Sequence, residues 1–199
     1  MKMTLEDKYV EAAESYVCFR GTKRLAEGSL AQVAAASWAL AQADPTQTTL
    51  TFSRHTGRVI DLDLRGGAAA IVARYPSDPE TSPKRGRPKL GVTAREVTLL
   101  PRHWDWLAHQ PGGASITLRR LVEAARKQDG GQTSSREKIS AAYKFMSAMA
   151  GDFPSFEDAS RALFAKDFRK LESCMAKWPA DITAEVKLYL SELEPNARE

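Results

Sequence analysis

The alternation of apolar and polar positions divides the chain into four regimes. In SYVCFRGTKRLAEG, residues 15–28, short apolar stretches flank Gly21-Thr22, which predicts two short strands around a turn. SLAQVAAASWALAQA then places Leu30, Val33, Ala34, Ser37, Trp38 and Ala41 at helical spacing. Ser29 stands where a helix is capped, and Asp44-Pro45 where one stops. TTLTFSRHTGRVIDLDL predicts a hairpin: Leu50 and Phe52 alternate before Arg54–Gly57, and Ile60, Leu62 and Leu64 alternate after it. Gly66-Gly67 breaks that strand, and AAAIVARY is a short helical piece. The order β-β-α-β-β-α over residues 1–75 predicts an α+β module, a small antiparallel sheet covered by helices.

Residues 76–91 change character. Four prolines and two glycines make them an extended linker. In residues 92–128, REVTLLP reads as a β-branched strand. PRHWDWLAHQ reads as a short helix opened by Pro101, with Trp104 and Leu107 on one face. After the turn Pro111-Gly112-Gly113, Ser115 is the expected N-cap of ITLRRLVEAARK, where Leu118, Leu121, Val122 and Ala125 form a stripe expected in the core. Trp104 and Trp106 lie in opposite phases, so one is expected in the core and the other at an interface or against a base. Residues 133–196 predict a helical bundle. Ser134-x-x-Glu137 reads as a capping box for a helix carrying Ile139, Tyr143, Met146 and Ala150. A second helix opens at Ser155, a third runs through Phe168, Leu171, Met175 and Trp178, and a fourth is capped by Asp181 and carries Ile182, Val186, Tyr189 and Leu190.

Charge sharpens this picture because it is unevenly placed. The chain has 199 residues and a net charge of +4. Residues 84–127 hold 10 Lys/Arg against 3 Asp/Glu, while the flanking stretches are slightly acidic. A single basic block of this kind is the electrostatic footprint of a polyanion binder. At its entrance stands SPKRGRPKLG. Arg85-Gly86-Arg87-Pro88 between Lys84 and Lys89 resembles an AT-hook. Glycine lets an extended backbone sit deep in a narrow minor groove, and the flanking guanidinium groups follow the groove floor. Pro88 keeps the chain extended, and the lysines meet phosphates. The competing reading is a basic hinge that tethers its neighbours or packs on the next module.

The strand–helix–turn–helix that follows resembles a ribbon-helix-helix unit, in which two chains pair one strand each and the ribbon enters the major groove. Here Arg95 would be the base-reading cation. Arg119, Arg120 and the amides near Ser115 would hold phosphates. The first helix is about one turn short for that fold, and the strand lacks a clean polar face, so a packed helical hairpin is the alternative.

Catalytic chemistry finds little support. Asp61 and Asp63 are expected on one strand face with Arg65, a cross-paired surface more often than an acid–base or metal pair. His55, His103 and His109 have no metal-ligand spacing, and there is no P-loop, Rossmann fingerprint or nucleophile elbow. No cofactor and no metal are expected. The isolated Cys18 and Cys174 point to a reducing compartment. No run of about 18 apolar residues exists to cross a membrane, and the first residues lack the apolar core of a signal peptide.

GRVIDLDLRG, GRPKLGVTAREVTLLPRHWDWLAHQPGGASITLRRLVEAAR, YKFMSAMAGD, FEDASRALFAKD and WPADI together resemble the bacterial family called domain of unknown function 2239. The resemblance runs from about residue 16 to residue 185 and implies a bacterial cytoplasmic protein. It supplies no activity, cofactor or catalytic residue. The residues themselves favour a non-catalytic DNA-binding protein, a transcriptional regulator or nucleoid-associated factor, homodimeric and directed to A·T-rich duplex. A protein–protein adaptor for an acidic partner is the second expectation, and a metal-dependent enzyme at Asp61 and Asp63 the third.

Overall fold

A computed structural model describes residues 14–75 and 95–193. They form a mixed α+β structure with a four-stranded antiparallel sheet and eight α-helices among the described residues. Residues 14–75 and 134–193 belong to one compact unit, and 95–133 belong to another.

The first unit is built on the sheet, ordered β2-β1-β3-β4. Strands β1 (Tyr16–Arg20) and β2 (Lys23–Gly28) make the expected hairpin, with a bulge after Cys18. Strand β3 (Thr49–Ser53) pairs with β1 along its whole length. Strand β4 is only Val59–Ile60, so the strand expected through Leu64 ends early. Local side-chain bonds explain the loss. The Asp63 carboxylate accepts from the Arg65 amide at 3.1 Å and from its guanidinium at 2.8 and 2.9 Å, and the Asp63 amide donates to the Tyr75 hydroxyl at 2.7 Å. These bonds give the backbone an alternative to the ladder. Asp61 and Asp63 therefore do not share a strand face.

Alternation along β1 and β3 fixes what each sheet face meets. Val17, Phe19 and Phe52 point to one face and join a single core with α5 (Gln132–Ala150), α6 (Phe156–Phe164), α7 (Phe168–Cys174) and α8 (Ala180–Leu190). Phe145 of α5 lies 5.5 Å from Phe19, 5.0 Å from Phe52 and 5.6 Å from Tyr189, ring centre to ring centre. The N-terminal stretch and the C-terminal bundle, expected as separate pieces, thus share one interior. Gly57 in the β3–β4 turn permits the approach. Its φ is +67°, and a Cβ there would lie 2.0 Å from the Ala141 carbonyl oxygen.

Cys18 and Thr51 point to the opposite face, under α1 (Leu30–Ala43). Ser29 caps α1 as expected, in a reciprocal capping box with Gln32, and the helix stops at Asp44. Helix α2 (Gly67–Arg74) follows Gly66. In the bundle, α5 begins before Ser134, because Asp129 accepts from the Thr133 amide and hydroxyl at 3.0 and 2.9 Å. Ser134 is therefore not the cap. Asp181 also lies inside its helix rather than at the cap, and its carboxylate accepts the Arg24 amide of β2 at 3.0 Å.

One turn further along α8, Glu185 is fully buried. Arg54 grips it through two hydrogen bonds of 2.7 and 2.8 Å and reaches Glu27 at 2.6 Å. Burial works against the Arg54 charge, but the two carboxylates outweigh it and raise its pKa. The Arg54 hydrogen bond lowers the pKa of Glu27. This cluster ties β2, the β3–β4 turn and α8 together. Among the described residues, no helix is long and apolar enough to cross a membrane.

Candidate nucleic-acid interface

The second unit carries the described part of the basic block. Residues 95–100 form no strand within the chain. Arg95, Val97 and Leu100 are exposed, and Leu100 has extended backbone, φ −65° and ψ 149°. Helix α3 (Pro101–Ala108) starts at Pro101, whose missing N–H costs nothing at that position. Helix α4 (Gly113–Asp129) follows a reversal in which Gly112 and Gly113 both have positive φ, 85° and 74°.

That reversal corrects the role of Ser115. The glycine pair moves the helix start from Ile116 back to Gly113, so Ser115 lies within the first turn and does not cap it. No side chain caps this helix and no acidic residue stands in its first turn. The Gly113 amide donates to Gln110 at 3.0 Å. The amides of Ala114 and Ser115 have no intrahelical acceptor, as in any first turn, and the helix dipole favours an anion beside them. Arg119 is folded back on this end, its Nε donating to the Ser115 carbonyl at 3.2 Å. Arg120 is exposed next to it in sequence. The structure thus brings Ser115 and Arg119 together and places Arg95 on the segment leading into α3. Lys84, Arg85, Gly86, Arg87, Pro88 and Lys89 lie outside the described residues, and with them the AT-hook-like motif.

Two expectations about packing fail here. Leu107 is buried as foreseen, at 2% exposure, but Trp106 is 51% exposed and Trp104 is exposed as well, so neither indole is in a core. On α4, Leu121 is 46% and Val122 56% exposed, Ala125 is exposed, and only Thr117 is buried. Length explains why. At about 1.5 Å per residue, α3 spans about 12 Å and α4 about 25 Å. The short helix cannot cover the long helix's stripe. Leu121 and Val122, expected in the core, are left exposed together with Ile116, in keeping with the unequal helix lengths visible in the sequence. Arg126 pairs with Glu123 at 3.3 Å, while Arg102, Arg119, Arg120 and Lys127 are exposed on the same two helices.

The carboxylates weighed for catalysis are placed differently. Asp63 is held by Arg65, with Arg74 at 3.6 Å, and these guanidinium groups keep its carboxyl well below the usual carboxylate range. Among the described residues, no group of three or more His, Cys, Asp or Glu side chains could hold a metal ion.

Sheet, bundle and basic hairpin define a mixed α+β protein with an unusually uncovered helical pair. The chain belongs to the family described as uncharacterized protein conserved in bacteria (DUF2239), whose model matches residues 15–189. No curated protein and no solved structure matches it.

Proposed function

We propose that the chain is a non-catalytic DNA-binding protein that acts as a homodimer in transcription regulation or nucleoid organisation. The observation that carries this reading is the 95–133 unit, where exposed indoles and aliphatic side chains stand among exposed guanidinium groups. An apolar stripe left bare favours a partner. The surrounding positive charge selects a polyanion. The uncapped start of α4, with Ala114, Ser115, Arg119 and Arg120, offers amides and cations to phosphate. Arg95 would reach a base edge from the segment before α3, in a ribbon completed by the same segment of a second copy. Arg85, Gly86 and Arg87 would enter an A·T-rich minor groove, and Lys84 and Lys89 would meet phosphates beside Pro88. A cytoplasmic, nucleoid-associated location follows from the same reading.

A gel shift on A·T-rich duplex tests it. Wild type should bind, poly(dA·dT) should compete far better than poly(dG·dC), and Arg85→Ala/Arg87→Ala should bind much more weakly. Undiminished affinity in the double variant removes the minor-groove contact. No retardation of any duplex at low salt overturns the DNA reading and leaves an acidic protein partner as the alternative occupant of the same surface. Light scattering decides the ribbon: a strict monomer, with and without DNA, excludes it.

A further inference from the structure

A cleft in the sheet-bearing unit has the makings of a ligand site that DNA binding does not use. Strand β3 runs from Thr49 to Ser53, but β4 pairs with it only at Thr51 and Phe52. Past Ile60 the chain leaves the sheet. A cavity of about 250 Å³ opens there, lined by Thr49–Thr51, residues 59–62 and Leu64, and by Ser37 and Ala41 of α1.

The ladder aims backbone groups into this opening. The Ser53 amide donates to Arg58 on the β4 side, and the Arg54 amide donates to Ser15 on the β1 side. Odd-numbered residues of β3 therefore present their amides and carbonyls toward β4. Thr49 lies two residues beyond the last such pair and turns its own toward the cleft. Two buried side chains add hydroxyls. Ser37 is bonded to the Cys18 sulfur at 3.1 Å. Thr51 is 2% exposed, lines the cleft, and its Oγ1 has no hydrogen-bond partner among the described residues. A buried hydroxyl is normally satisfied, so this one calls for a ligand or an ordered water.

We infer that the cleft binds a small uncharged polyhydroxylated molecule of monosaccharide size. Thr49, Thr51, Ser37 and Gln47 both donate and accept, and the exposed Asp61 carboxylate can accept from two adjacent hydroxyls. Among the described residues, no Lys, Arg or His lines the cavity, which disfavours phosphates and carboxylates. Val59, Leu62 and Leu64 supply apolar surface for the C–H face of a sugar ring. The volume falls just below the usual range for drug-sized ligands. This inference stands whether or not the chain binds DNA.

The test is an amide-resolved NMR titration of the full chain with glucose, galactose, ribose and myo-inositol, each to about 10 mM, well above a millimolar Kd. At least one should give saturable shifts at Thr49, Thr51 and Asp61. Thr51→Val removes a hydroxyl that no group among the described residues uses. It should leave the melting temperature unchanged or higher and weaken the sugar about tenfold. Shifts that never saturate, equal affinity in Thr51→Val, or tighter binding of inorganic phosphate or ethanolamine would each overturn the proposal, the first leaving the cleft to water.

Discussion

The two units use the same kinds of side chain to opposite ends. In the sheet-bearing unit, Phe19, Phe52 and Phe145 close on one another, and the buried Glu185 meets a guanidinium in two-point contact. In the 95–133 unit, indoles, leucine and valine face outward beside arginines. In the first, the aromatic cluster and the Glu185 carboxylate are satisfied internally, although Val72 and Phe164 stay exposed there too. In the second, both indoles and most of the α4 stripe stay exposed. Folding accounts for the first arrangement, the proposed binding would use the second, and substitutions should separate the two.

The largest difference should come from apolar truncation. Phe145→Ala empties the centre of the aromatic cluster and should cost about 3–5 kcal/mol in a urea melt. Leu121→Ala, on the bare stripe, should stay within about 0.5 kcal/mol while weakening self-association or DNA affinity. A large stability loss at Leu121 would mean that the stripe is covered within the chain, and the contrast between the units would fall.

Charge gives the next test. Arg54→Met leaves the fully buried Glu185 carboxylate with only the longer Arg24 contact at 3.9 Å, and loss of one partner of a buried pair costs about 3–5 kcal/mol. The pair Arg54→Met/Glu185→Leu should regain much of it, because removing both charges also removes their desolvation. A double-mutant cycle in denaturant measures this. Arg120→Met in the basic hairpin has no such buried counter-charge to expose and should change salt-dependent binding instead.

What could be read from the sequence follows the same division. Phe52, Ile139 and Met146, and Ile182, Val186 and Tyr189 were legible because period-two and helical spacing report a face that is in fact buried. The same rule misled at Leu121 and Val122. Spacing marks an apolar face but not whether this chain has a partner for it. The union of the N-terminal strands with the C-terminal helices was invisible, since it rests on Phe52–Phe145 and Arg54–Glu185, contacts that span about half and about two thirds of the chain. Asp63 was misplaced because its bonds to Arg65 and its amide's bond to Tyr75 override alternation. Of the proposed DNA contacts, Ser115, Arg119 and Arg120 fall on one helix, with Arg119 folded back on Ser115, but the glycine pair ahead of them sets where that helix begins.

That last point yields the smallest and sharpest prediction, because Ser29 and Ser115 are both expected as helix caps and only Ser29 is one. Ser29 accepts the Gln32 amide at 3.3 Å while Gln32 returns a bond to the Ser29 amide at 2.8 Å. Ser29→Ala should therefore cost about 1 kcal/mol. Ser115 caps nothing, so Ser115→Ala should be close to neutral in the same urea melt and even mildly favourable to the helix. Ser115→Asp separates the functional meaning of the two sites. A carboxylate in the first turn suits the helix dipole and should hold or raise stability. It would also occupy the place proposed for a phosphate, and should weaken DNA binding. A variant that is no less stable yet binds DNA less well would show that the end of α4 is left open for an anion. If Ser115→Asp binds DNA as well as wild type, the helix start has no part in phosphate contact, and the cations of the hairpin act without it.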